Sequence, residues 1–293
     1  METRELGSPP GIVSLYARTV APLLPGASLL PFLGTSGEQI PALELVLPDV
    51  VVDPGRLAAY AHVCGFSLRE TLPATYPHVL AFPLQLALMT DPAFPFGPIG
   101  LVHLDNRIEL RHPIDIGERL ELRVHATPLQ PHPRGRMFAL VSQARVEGEL
   151  VWEGHSTMLR RGPGEPDGRQ GASSESSEPP ASARWRLPGD LGRRYAAVSG
   201  DRNPIHMHAL SAKAFGFRQA IAHGMWTKAR CLAALEGLLP DAYSVEARFR
   251  RPIELPATVA FAEIRAGAAI DFGVRDAVRG TPHLQGRVEP RDG

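Results

Sequence analysis

The chain has 293 residues, 44% of them hydrophobic and 21% charged, which is enough apolar material for two ordinary domains. Its 31 basic and 31 acidic side chains cancel, which argues against nucleic acid or an anionic membrane held by bulk charge. Two cysteines, Cys64 and Cys231, match no zinc motif and form no disulfide framework, so they read as buried free thiols in a reducing compartment.

The opening stretch, METRELGSPPGIVSLYARTVAPLLPG, has acids near its start and an arginine inside its apolar part, a poor signal peptide. No apolar run approaches the ~18 residues needed to span a bilayer. A soluble, cytoplasmic protein is expected. A short helix should end at Cys64-Gly65, and an apolar helix should follow over about 79–90. Three β-type runs come next: GLVHLDNRIEL, RLELRVHAT and MFALVSQARVEGELVWEGHSTML. Apolar and polar residues alternate in them, as in antiparallel strands with one covered face. Residues 162–183, GPGEPDGRQGASSESSEPPASA, are almost free of large apolar side chains and read as a flexible linker. Past the linker a short helix should end at Ser199-Gly200. MWTKARCLAALEGLL, from Met225, should form a helix that stops before Pro240. The β-type runs YSVEARFR, TVAFAEIR, AIDFGVRDAV and PHLQGRVEP close the chain.

The two halves, 1–161 and 184–293, repeat each other. YAHVCGF (60–66) matches YAAVSGD (195–201), VLAFPL (79–84) matches AIAHGM (220–225), and HPIDIGERL (112–120) matches RPIELPATV (251–259). The order is kept and the offsets, 135, 141 and 139 residues, drift little. The chain is expected to be α+β, two tandem copies of a helix wrapped by a curved antiparallel sheet.

SGDRNPIH (199–206) is the stretch with chemical promise. Asp201, Asn203 and Pro204 are ordinary turn residues, and Asp or Asn caps helices. His208 makes an HMH triplet with His206, but no carboxylate or cysteine cluster beside it completes a metal site, so no metal is expected. The repeat adds weight. The first half has Phe66 where the second has Asp201, no N-P-I-H, and Phe82-Pro83 where the second has His223-Gly224. Pro83 has no N–H to donate. An acid, a histidine and a donor are missing from one half together.

YAAVSGDRNPIHMHALSAKAFGFRQAIAHGM (195–225) resembles the signature of the MaoC-like (R)-specific enoyl-CoA hydratases and 3-hydroxyacyl-thioester dehydratases, and RFRRPIELPATV (248–259) resembles the strand-turn that follows it. The two-copy plan resembles the double hot dog members, in which one half keeps the catalytic residues. The resemblance implies that Asp201 and His206 handle the protons and that the Gly224 N–H binds the thioester carbonyl. Asn203 and Pro204 would fix the turn, Ser199 would support or cap the helix end, and His223 would brace Gly224. It implies a hydro-lyase needing neither metal nor cofactor, with coenzyme A or an acyl-carrier protein bearing the substrate. Arg248, Arg250 and Arg251 are candidates for the carrier's phosphates and fit a solvated strand edge equally well. A hot dog thioesterase and a non-catalytic acyl-thioester-binding protein are the alternative readings. A two-copy chain completes its own dimer-like unit, so monomer and homodimer both remain open.

Overall fold

The structure, a computed structural model, describes residues 1–20, 39–162 and 180–291. The first half comprises β1 (Glu2–Glu5), α1 (Ile12–Val20), β2 (Leu43–Val50), α2 (Pro54–Cys64), α3 (Tyr76–Met89), β3 (Leu101–Leu110), β4 (Leu120–Ala126), β5 (Gln130–His132), β6 (Gly135–Val146) and β7 (Glu149–Arg161). The second comprises β8 (Ala183–Leu187), α4 (Leu191–Ser199), α5 (Pro204–Met207), α6 (Ala209–Lys213), α7 (Gly224–Ala234), β9 (Tyr243–Phe249), β10 (Ala257–Ala266), β11 (Ala269–Asp276) and β12 (Pro282–Pro290). Most of the expected linker lies outside the described residues. Arg161 closes β7, and Ala183, placed in the linker by composition, already opens β8. No helix of the described residues is long and apolar enough to cross a membrane.

All the strands join in one sheet in the order β1-β2-β4-β6-β7-β3-β9-β12-β11-β10-β8, with β5 beside β6. Read from the centre outward, β3-β7-β6-β4-β2 and β9-β12-β11-β10-β8 are the same walk, so the repeat is visible in the topology. The seam is the antiparallel pair β3 and β9, with Asn106 opposite Ala247 and Ile108 opposite Val245. Alternation placed the strands well: β4 buries every second residue. The long run 137–159 is two strands, because Glu147 and Gly148 both adopt positive φ (50° and 88°). That is the turn whose twist matches a tight hairpin.

The central helices pack on the sheet, α3 against β2, β4 and β6 and α7 against β11 and β12. Tyr60 of α2 and Tyr195 of α4, equivalent in the repeat, meet with ring centroids 6.2 Å apart. Trp226 Nε1 of α7 donates to the Val63 carbonyl of α2 at 3.0 Å. Lys228 of α7 is fully buried and donates to Asn106 O (3.0 Å), Asn106 Oδ1 (2.6 Å) and Val245 O (3.0 Å), on both seam strands. Both cysteines are free and buried.

The helix of the first half follows the expected span of about 79–90 apart from three residues at its start and one at its end. It starts at Tyr76 and runs through Pro83 without a break. The corresponding helix of the second half begins only at Gly224, the position matched to Pro83. The first half therefore has continuous helix where the second has a turn and a free helix start. Leu84 and Leu88 of α3 are fully buried in the core.

Candidate active site

The site grows from the end of α4. Gly200 caps that helix with φ 79°, a left-handed conformation that glycine takes without strain. Ser199 Oγ donates to Tyr195 O at 2.9 Å and accepts from Asp201 N at 3.2 Å, which sets the exit of the chain. Asp201 Oδ1 accepts from Asn203 N at 3.1 Å, and Asn203 Oδ1 accepts from Ile205 N at 3.4 Å, capping α5. Pro204 stands at the first turn of α5, where its missing N–H costs nothing. These nested turns bury His206, whereas His208 stays exposed, so the HMH triplet does not converge.

His206 Nδ1 lies 2.8 Å from the Ile221 carbonyl. A carbonyl only accepts, so Nδ1 carries the hydrogen and Nε2 keeps its lone pair in the neutral ring. His223 Nε2 lies 3.0 Å from the Asp201 carbonyl, which by the same logic places its hydrogen on Nε2. The two imidazoles stack with centroids 3.6 Å apart. One carboxylate oxygen of Asp201 and one nitrogen each of His206 and His223 lie within 4.8 Å of one another. This trio is the group of described side chains nearest to a metal-binding set. The hydrogen on His223 Nε2 is spent on a carbonyl, which leaves that nitrogen no lone pair for an ion.

Electrostatics set the resting state. Burial disfavours the imidazolium of His206 and lowers its pKa, with Asp201 offsetting part of the effect. Burial and the charge of His206 take His223 down to about 3. Burial pushes Asp201 up, but His223, His206, the Asn203 N–H and Tyr16 outweigh it, and its pKa ends below the usual value. At neutral pH the site holds a carboxylate and two neutral imidazoles.

His78 and His103, also buried, are lowered to about 4 and about 3. Four histidines are thus kept neutral in the fold but protonate below ~6.5 in the unfolded chain. Between those limits the unfolded chain binds more protons, so stability is full above ~6.5 and is lost as pH falls. A Tm measured by calorimetry should drop between pH 7 and pH 5; a Tm unchanged over that range would contradict the neutral assignment.

Gly224 opens α7, so its N–H has no acceptor within the helix. A Cβ there would lie 2.9 Å from the Phe249 ring, so the position admits only glycine at this spacing. Phe249 in turn meets His103 at a tilt, centroids 4.8 Å apart. Asp201, Asn203, Ser199, His206, His223 and Gly224 therefore come together. The arginines do not join them. Arg248 of β9 and Arg250, just past its end, flank Phe249; both are exposed and pair with Glu246 (2.9 Å) and Gln285 (2.9 Å) respectively. Arg251 is also exposed. One participant was missed in the sequence: Tyr16 of α1, whose hydroxyl donates to Asp201 Oδ1 at 2.9 Å. Its only local sign is the spacing Ile12, Leu15, Tyr16, Thr19, one face of a helix.

The family described as "MaoC like domain" matches residues 178–285. The chain is 36% identical over 255 residues to 3-hydroxyacyl-thioester dehydratase X of Mycobacterium tuberculosis, covering 86% of this chain and 90% of that protein. The crystal structure of that protein, HtdX, is similar with a TM-score of 0.76, 35% identity and coverage of 85% of this chain and 100% of that one. A MaoC-like dehydratase from Phytophthora capsici (TM-score 0.70, 20% identity, 85% and 95% covered) shares the fold. So does a Mycobacterium tuberculosis protein described as having a double hot dog fold (TM-score 0.53, 15% identity, 82% and 92% covered). The 36% identity across most of both chains, with the matching MaoC-like domain, places this chain in the family of MaoC-like dehydratases.

Proposed function

We propose that the protein interconverts (3R)-3-hydroxyacyl thioesters and trans-2-enoyl thioesters, with Asp201 and His206 as the catalytic pair and Gly224 as the oxyanion donor. The observation that carries this reading is the Asp201–His206 pair beside a helix-start N–H that has no acceptor among the described residues. The substrate class follows the name of the 36% identical relative.

A C2 proton beside a thioester is weakly acidic, so its removal needs a placed base and a donor for the enolate-like oxygen. His206 Nε2 is the base. The proton leaves C2 for Nε2, and the electron pair moves into the thioester, where the Gly224 N–H and the positive end of α7 receive the charge. That pair then forms the C2–C3 double bond as the C3–O bond breaks. At rest both Asp201 and His206 are acceptors. The proton that completes water on the leaving oxygen is therefore the one taken from C2, returned by the imidazolium. Asp201 holds the hydroxyl and favours the imidazolium beside it. The sequence balances as hydroxyacyl thioester to enoyl thioester plus water, and its reverse is hydration. No metal or redox cofactor has a task in it. Coenzyme A and an acyl-carrier protein are both suitable bearers of the thioester, in a cytoplasmic setting and as monomer or homodimer.

Incubation with crotonyl-CoA and longer enoyl-CoAs tests the proposal. The conjugated-thioester absorbance should fall, and chiral analysis should return the (3R)-hydroxy product. An (S)-product, or free thiol released without hydration, overturns it.

A further inference from the structure

The acid at the centre of the site is gripped from the other half of the chain. Tyr16 lies 185 residues before Asp201, on α1. Its hydroxyl donates to Asp201 Oδ1 and accepts from the Arg202 N–H, both at 2.9 Å. The Asn203 N–H also donates to Oδ1. Two donors thus fill Oδ1. Among the described residues Oδ2 makes no hydrogen bond, and His223 Nε2 stands off at 3.8 Å. The two oxygens of one carboxylate are in different situations.

The phenol is held firmly enough to matter. Burial and the adjacent carboxylate push its pKa far above the ordinary tyrosine value, so it is a donor at every working pH. One turn earlier on α1, Ile12 packs against Gly200, where a Cβ would collide with Ile12 Cδ1. The helix is therefore seated on the turn that carries the acid.

We infer that Tyr16 is a positioning residue, which saturates Oδ1, fixes the rotation of the carboxylate and leaves Oδ2 as the oxygen that meets the substrate hydroxyl or water. This rests on the reading of Asp201 as a catalytic group. It changes what the first half is for: the copy without an acid holds the acid of the other. The ionisable groups facing Asp201 are Tyr16 from α1, His206 from α5 and His223 before α7, with His78, His103 and Tyr195 of α4 also within reach of its charge.

Tyr16→Phe keeps the ring and removes the hydroxyl. Arg202 is exposed, so water replaces the acceptor lost to its N–H. The expected result is a kcat about tenfold lower with KM within about twofold, the size of one hydrogen bond to a charged group. The acid limb of kcat/KM reports protonation of the Asp201–His206 pair and should move to higher pH, because Asp201 loses a bond that favours its charged form and the less-screened carboxylate favours the imidazolium beside it. Ile12→Ala, on the same helix, should lower Tm and leave the acid limb in place. Asp201→Asn is measured in parallel: if it stays active, the underlying reading of the site fails. If Asp201→Asn is inactive but Tyr16→Phe keeps the wild-type kcat and acid limb, or only lowers Tm as Ile12→Ala does, the role of Tyr16 is overturned and the site stands. Should Tyr16→Phe not fold, 3-fluorotyrosine at position 16 keeps the contact with a stronger donor. The acid limb then moves to lower pH, and an unmoved limb refutes the inference.

Discussion

His206→Gln and Asp201→Asn each lower turnover at least ~10²-fold, the scale of a lost general acid–base group. Both replacements keep shape. Glutamine at 206 can still donate toward the Ile221 carbonyl but has no basic lone pair to replace Nε2. Asparagine at 201 can still accept from Tyr16 and Asn203 but loses the charge that favours a neighbouring imidazolium. Because the nested turns are preserved, circular dichroism and Tm should stay near wild type. A loss of 10²-fold is about 2.7 kcal/mol of transition-state stabilisation. If either variant turns over crotonyl-CoA at a near-normal rate with its fold intact, that residue has no part in the proton transfer.

The fold and most of this site were legible because their signals are local. Gly200, Asp201, Asn203, Pro204 and His206 act on each other within seven residues, through turns and caps that obey short-range rules. The missing acid and donor of the first half stood out on comparison with the second. Other features depend on contacts across the whole chain. Tyr16 meets Asp201 only after the two halves have packed, and nothing beside it in sequence announces the partner. The first three residues of α3, Tyr76 to His78, were not foreseen, because Pro77 hides the helix start and only packing carries the helix back to Tyr76. The outer strands β1, β2 and β8 are short or lie in mixed composition, so alternation alone did not find them.

Lys228→Ala should be the most destabilising single change at the seam. Burial pushes this lysine well below its ordinary pKa. Yet three oxygens accept from its one nitrogen, which takes all three hydrogens of an ammonium. Alanine leaves those oxygens short of a donor and opens a cavity where four methylenes stood. A cost of roughly 3–5 kcal/mol follows, a drop in Tm on the order of 10 °C. Lys228→Met fills the space and should cost less, and the double change with Asn106→Leu should recover part of the loss. Thermal unfolding decides the matter. A Lys228→Met protein within about 0.5 kcal/mol of wild type would mean that the ammonium contributes little.

Fusing two copies into one chain releases each from having to match the other. In a homodimer about a twofold axis, whatever one subunit sends to the seam the other sends too. A lysine on each central helix would then bring two buried ammonium groups to the same pair of strands. Here the symmetry is broken at that point. By the offset of 141 residues that pairs Phe82-Pro83 with His223-Gly224, the counterpart of Lys228 is Ala87, and the residue facing Asn106 across the seam is Ala247. One charge is accommodated where two would repel. The same freedom lets the first copy spend α1 on steadying a neighbour's carboxylate instead of keeping a carboxylate of its own. A single polypeptide can divide labour in this way; a self-paired one has to compromise.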